Sequence, residues 1–145
     1  MRVFLATPIS SFNSAEEFHS YRKKVLNVIS ALRIEHHVQC EIEEVKNDNN
    51  YDSPADSFTQ DLSAIHACDA FILHYPQPLL TSALIELGIA LALEKIVIII
   101  TPDKHLLPYL VQAIDTVGAS NKIIEDEHLG ETATKKIIGF LRSRQ

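Results

Sequence analysis

One pattern restricts this chain more than any other. Short runs rich in β-branched residues, each about one strand long, alternate with longer stretches of helical periodicity. The runs are Val3–Ala6, Val38–Ile42, Ala70–His74 and Ile96–Thr101, with a weaker one at Lys122–Ile124. Strands that alternate with helices pair in parallel through right-handed crossovers. Ala70–His74 and Ile96–Thr101 are apolar at successive positions, as central strands covered by helices on both faces must be.

The helical segments carry their own start signals. The first runs from about Ala15 to Ile34, with Ser14 as N-cap, Glu16 and Glu17 in the first turn, and Phe18, Tyr21, Val25, Val28, Ile29 and Leu32 at helical spacing. The second begins at Ser53-Pro54 and carries Phe58, Leu62 and Ile65 on one side. A third spans Ser82 to about Glu94, a short fourth lies around Leu106–Ala113, and the last covers Glu131–Arg142. The expectation is a single α/β domain over residues 1–145, with a five-stranded, parallel, doubly wound sheet of flavodoxin-like order. Ligands of such sheets bind beyond the carboxyl ends of the strands, here Thr7–Phe12, His74–Leu80 and Thr101–His105. Asn47–Ser53 reads as a polar loop.

Composition narrows the function classes. Thirteen Lys and Arg against 19 Asp and Glu give a formal charge of -6, which disfavours a nucleic-acid backbone as partner. Two cysteines, Cys40 and Cys68, are too few for a disulfide framework and sit in apolar stretches. The longest apolar run outside the helices, Ile96–Ile100, is a strand's length and cannot span a bilayer. Only Val3–Ala6 follows Met1-Arg2 before Thr7-Pro8, unlike a secretion signal. The chain is expected to be soluble and cytoplasmic, with no membrane partner.

Within Thr81–Leu93 the one charge is Glu86, and the residues at helical spacing around it (Ser82, Ala83, Ile89 and Ala90) cannot neutralise a carboxylate. An unpaired ionised acid there is costly, so its pKa rises or a partner reaches it. Glu86 also lies in the first turns of a helix that starts at the ligand edge, where the helix dipole favours negative charge. Gly88 permits close approach of another backbone or a flat ligand. The alternative is a structural Glu bonded to backbone groups or to a neighbouring lysine. Asp61, on the flank of the second helix, reads by itself as a solvated charge, and Asp69, just before a strand, as structural.

Taken in order, Val3-Phe4-Leu5-Ala6-Thr7-Pro8-Ile9, Asp61-Leu62, Ile65, Asp69, Glu86-Leu87-Gly88-Ile89-Ala90 and Pro102-Asp103 resemble the nucleoside 2-deoxyribosyltransferase family. The resemblance implies an N-glycosidic bond as the target and no cofactor. Glu86 matches the family's nucleophile at the anomeric carbon, and Asp61 matches an active-site aspartate near the sugar and departing base. The loop Thr7–Ser11, with Thr7, Pro8 and Ser10, would hold the sugar or a phosphate. Ser82 would either bind a hydroxyl or phosphate there or simply cap the helix. The resemblance also implies a homodimer or higher homo-oligomer; the apolar Leu79-Leu80 and Leu106–Leu110 segments either form its contact surfaces or pack in the chain's own core.

The chain also departs from that pattern. Base-exchanging members carry a carboxylate in the loop before the glutamate, whereas His74-Tyr75-Pro76-Gln77-Pro78-Leu79-Leu80 has none, and Ser82 and Leu84 replace small glycines. Hydrolysis of a nucleoside, nucleotide or derivative fits better than exchange. Tyr75 either stacks on a base or packs on Pro76 and Pro78. Two other readings are an NAD hydrolase of the Toll/interleukin-receptor type and a module that senses a nucleotide without turnover. His36, His37 and Cys40 lack a second ligand pair, so no metal is expected. Arg22-Lys23-Lys24 reads as a solvated face within reach of a phosphate.

Overall fold

The computed structural model describes residues 1–10, 12–45, 53–79 and 81–145. Ser11, Leu80 and all but Ser53 of the Asn47–Ser53 loop lie outside them. Five strands form one parallel sheet: β1 (Arg2–Ala6), β2 (His37–Gln39), β3 (Ala70–His74), β4 (Ile96–Thr101) and β5 (Asn121–Glu125), in the order β2-β1-β3-β4-β5. The helices are α1 (Ala15–Leu32), α2 (Pro54–Ala67), α3 (Ala83–Ala92), α4 (Ile114–Val117) and α5 (Glu131–Arg142). This is the flavodoxin-like order, in which the chain reverses direction of growth between β1 and β3.

Side chains of period two divide the core into two layers. Val3, Leu5, Ile72, Ile98, Ile100 and Ile124 face α1 and α5. Phe4, Phe71, Leu73, Val97 and Ile99 face α2 and α3. The Val3↔Ala70 and Ala70↔Ile96 registers put β3 at the centre, and all five of its residues are buried. Asp69 is structural, as expected: its carboxylate accepts the Arg2 amide at 2.8 Å and fixes the start of β1 beside β3.

Two elements differ from expectation. β2 ends at Gln39 rather than Ile42, because Glu41–Glu43 turns into a 3-10 helix. The short fourth helix resolves into 3-10 turns at Lys104–Leu106 and Tyr109–Ala113 followed by α4. Asp103 caps the first of these turns, accepting the His105 amide at 2.8 Å. No helix among the described residues is long and apolar enough to cross a membrane.

α3 stops at Leu93, and the chain reverses through Glu94, whose φ of 54° is left-handed, before entering β4. A side chain in that conformation is strained, whereas glycine is not. Glu94→Gly should therefore stabilise the fold by about 0.5–1 kcal/mol, read as a higher urea midpoint at unchanged slope.

Candidate active site

Over the carboxyl end of β1, at the strand-order reversal, opens a cavity of about 360 Å³. The loop after β1 contributes Thr7, Ile9 and Ser10, and the turn after β2 contributes Glu41. α2 supplies Ser57 and Asp61, one turn apart, while Thr81, Ser82 and Glu86 come from the start of α3. The fold thus gathers Glu86, Asp61, Thr7, Ser10 and Ser82 from the expected set.

Glu86 is half-buried on α3, between the buried Ala83, Leu87 and Ala90. Burial pushes its carboxyl up to about 7, with the Asp61 charge adding to the rise and a hydrogen bond from the Ser82 side chain opposing it. Ser82 does not cap the helix with its side chain; the Thr81 hydroxyl accepts the Ala83 amide at 3.3 Å instead. Lys95, which could have neutralised an acid nearby, donates to the carbonyls of His66 and Cys68 at 2.8 and 2.7 Å.

The third acid, Glu41, was not singled out from the sequence. Arg22 of α1 and Arg33, at that helix's C-cap, place it. Arg22 donates from Nε to the Ile42 carbonyl and from Nη2 to the Glu43 carbonyl, both at 2.9 Å. Arg33 grips the Glu43 carboxylate through two 2.7 Å bonds and reaches the Val38 carbonyl at 2.9 Å. With Ile42 and Cys40 buried beneath it, the turn leaves Glu41 on the cavity wall. Arg22 is therefore no solvated cation; Lys23 and Lys24 are exposed as expected. Burial raises the Glu41 carboxyl to about 8, reinforced by its hydrogen bond to Asp61 and by the charges of Asp61, Glu86 and Glu44.

Thr7 retains only 8% of its surface, and its hydroxyl makes no hydrogen bond among the described residues. Its polar neighbour is the Cys40 thiol, which burial pushes up to about 12 and which offers no well-formed bond. A buried hydroxyl without a well-formed partner is unusual.

Other expected residues lie elsewhere. Pro8 is buried without lining the cavity. Tyr75 points into the core, and its hydroxyl closes the following loop, accepting the Leu79 amide at 3.0 Å and donating to the Leu79 carbonyl at 3.2 Å. It packs rather than stacks on a base. Gly88 is exposed, with nothing among the described residues within 4 Å of where a Cβ would stand, and it does not line the cavity. His36 and Cys40 are buried, His37 is exposed, and among the described residues no three His, Cys, Asp or Glu side chains are placed to hold a metal. On the α1 side of β3, His74 accepts or donates a 2.7 Å hydrogen bond with the Tyr21 hydroxyl, and burial lowers its pKa to about 4.

The profile of the nucleoside 2-deoxyribosyltransferase family matches residues 3–133. Among solved structures, the Clostridium botulinum CMP N-glycosidase is similar at 25% identity and a TM-score of 0.70, over 95% of this chain and 98% of that one. A 2-deoxyribosyltransferase from Bacillus psychrosaccharolyticus shares the fold at 20% identity and a TM-score of 0.60, over 92% and 96% of the two chains. A conserved protein from Enterococcus faecalis V583 does so at 12% and 0.60, over 99% and 98%. No curated protein matches the sequence.

The raised Glu86 carboxyl has a consequence for stability. The unfolded acid ionises near its ordinary value of 4.5 while the folded one keeps its proton to about 7, so stability falls as pH rises across that window. Glu86→Gln removes this loss. Its thermal midpoint should exceed that of the wild type at pH 8, by the equivalent of about 2 kcal/mol after solvent screening, and converge with it near pH 4.5.

Proposed function

This chain belongs to the nucleoside 2-deoxyribosyltransferase family, a family of enzymes, and from that premise we propose that it hydrolyses the N-glycosidic bond of a nucleoside or nucleotide through Glu86. The observation that carries this reading is the half-buried Glu86 carboxyl, beside Asp61, on the wall of a cavity of about 360 Å³. An ionised carboxylate there attacks the anomeric carbon as the base departs, and water then releases the sugar from the ester. Near pH 7 the acid is poised between its two forms, and desolvation of the ionised form makes it a stronger nucleophile than a surface glutamate.

Hydroxyls rather than cations supply the remaining contacts. The hydroxyls of Ser10, Ser57 and Thr81 suit those of a pentose or the oxygens of a 5′-phosphate. Ser82 is held by Glu86 and orients it. Hydrolysis is favoured over base exchange because the described loop His74–Leu79 holds no acid to grip an incoming base. The similar CMP N-glycosidase makes a pyrimidine nucleotide the first substrate to try. The family match favours this chemistry over the NAD-hydrolase and sensing readings. The buried free thiols Cys40 and Cys68 suit the cytoplasm.

Phe58 on α2 and Ile85 on α3 are 54% and 62% exposed on the two helices that carry Asp61 and Glu86, and Tyr109 and Leu110 are more exposed still. We assign the face of α2 and α3 that carries Phe58 and Ile85 to a homo-oligomer contact. Phe58→Lys should shift the mass seen by light scattering toward the monomer, whereas a monomeric wild type would remove the assignment.

Base release from a panel of ribo- and deoxyribonucleosides and their monophosphates, followed by chromatography, tests the reaction. Glu86→Gln should lower it at least about 10³-fold. The wild-type kcat/KM should fall about tenfold per pH unit below about 7, as Glu86 takes up its proton. Free pentose should appear at the same rate with or without a second base. A Glu86→Gln variant as active as wild type would refute the reading.

A further inference from the structure

The sheet has two edges, β2 and β5, and they are finished differently. In a parallel ladder alternate residues bond the neighbouring strand, and the residues between them turn amide and carbonyl outward. On β2 the outward residue is Val38, and the Arg33 guanidinium takes its carbonyl at 2.9 Å. That edge is closed.

On β5 the two ends of the ladder fix the alternation. Val97 donates to the Ser120 carbonyl at 3.2 Å, and Asp126 donates to the Thr101 carbonyl at 2.8 Å. Lys122 and Ile124 therefore bond β4, while Asn121, Ile123 and Glu125 face outward. The Asn121 amide returns to the Gly118 carbonyl at 3.0 Å. Ile123 is only 8% exposed, yet among the described residues its outward amide and carbonyl have no partner.

A groove of about 640 Å³ runs beside this open backbone. Ile124 and Phe140 line it from the α1 and α5 layer and Ile123 from the opposite layer, so it follows the free edge. Three lysines from separate elements border it: Lys104 after β4, Lys122 on β5 and Lys136 on α5. Among the described residues none of their ammonium groups has a partner, although the adjacent Lys135 pairs with Glu131 at 2.6 Å. Two acids share the lining. Glu125 accepts the Lys104 amide at 3.3 Å, and one Asp115 carboxylate oxygen is shut off from water. By the alternation of the strand, Lys122 shares the face of Ile124, the side on which α5 carries Lys136.

We propose that the free edge of β5 docks an extended acidic segment of another protein, which adds a strand beside it. The backbone of that segment pairs with the outward groups of Ile123 and Glu125, and carboxylates at alternate positions meet Lys122 and Lys136. Its remaining side chains point to the other face, past Glu125 and Asp115, and are uncharged. A second copy of this chain does not suit the edge, because it would bring the same lysines against one another; lysines on edge strands keep copies apart. On a chain of net charge -6, three free cations along one groove select an anionic partner. The inference is independent of the reaction at Glu86.

The probe is a fluorescein-labelled short peptide of alternating Glu and Val, titrated with the intact chain and followed by fluorescence anisotropy. The wild type should bind it, and the double variant Lys122→Glu, Lys136→Glu should bind at least about tenfold more weakly. Two further peptides carry N-methyl groups, one on the glutamate amides and one on the valine amides. Only one set of amides faces β5, so one of the two should lose at least about tenfold with its charge unchanged. A peptide of the same composition with its glutamates in one block should lose as much, because its carboxylates no longer share a face.

A wild type that does not bind the alternating peptide would overturn the proposal. So would full-strength binding of the block peptide or of both N-methylated peptides, which would leave only attraction of a polyanion to lysines. A wild-type mass in light scattering that falls in the double variant would put a second copy on the edge and overturn it as well. Both substituted lysines are exposed, and circular dichroism should show the wild-type fold in the variant. The modified peptides test the pairing on the unaltered chain.

Discussion

The Glu86 carboxylate sits half-buried in the cavity wall on an otherwise apolar helix, and the rest of the site answers to that fact. A desolvated acid must find a cation, collect hydrogen bonds or hold its proton. The one lysine close by in sequence, Lys95, closes the end of α2 instead, and a single hydrogen bond from Ser82 is the compensation α3 provides. Proton retention makes up the difference. Placing Asp61 and then Glu41 against the same cavity amplifies the effect, because each negative neighbour makes the next ionisation harder. A site of this kind is stable because it is partly protonated, and for Glu86 that protonation is marginal near neutral pH.

How much of this could be read from the chain depends on how local each signal is. The strands and most helices were legible because period-two and helical patterns need only neighbours in sequence, and the Ala70–His74 and Ile96–Thr101 boundaries are those of β3 and β4. Glu86 was legible for the same reason, as one charge in an apolar helix. Asp61 was not, since by residue type it belongs on the surface; only the family resemblance pointed inward, and the packing of α2 beside α3 is what turns it to the cavity. Glu41 escaped altogether. Its position depends on Arg22 and Arg33, about 20 and 10 residues away, ending β2 early, and a β-branched reading of Val38–Ile42 ran the strand straight past it. An acidic triplet beyond a strand's carboxyl end was the available cue.

Tyr75 and Ser82, each open to two readings from the sequence, turn on finer detail. A tyrosine ahead of two prolines suggests an exposed loop ring, yet the alternation of β3 continues one residue past His74 and carries Tyr75 into the layer under α2 and α3. Ser82 has the residue type of a helix cap, but Thr81 stands one place earlier and binds the Ala83 amide, freeing Ser82 to reach the acid one turn on. Both cases turn on a shift of one position, the scale at which backbone geometry overrides composition.

The retained protons also change how the cavity looks electrically from outside. Three acids lining one hollow suggest a strong negative field that would turn away an anion, but Glu41 and Glu86 hold protons through much of the neutral range. Local repulsion of an approaching anion is correspondingly weaker than three full charges would give. Cavity shape and the hydroxyl-bearing side chains of its lining then weigh more than a field of fixed charge.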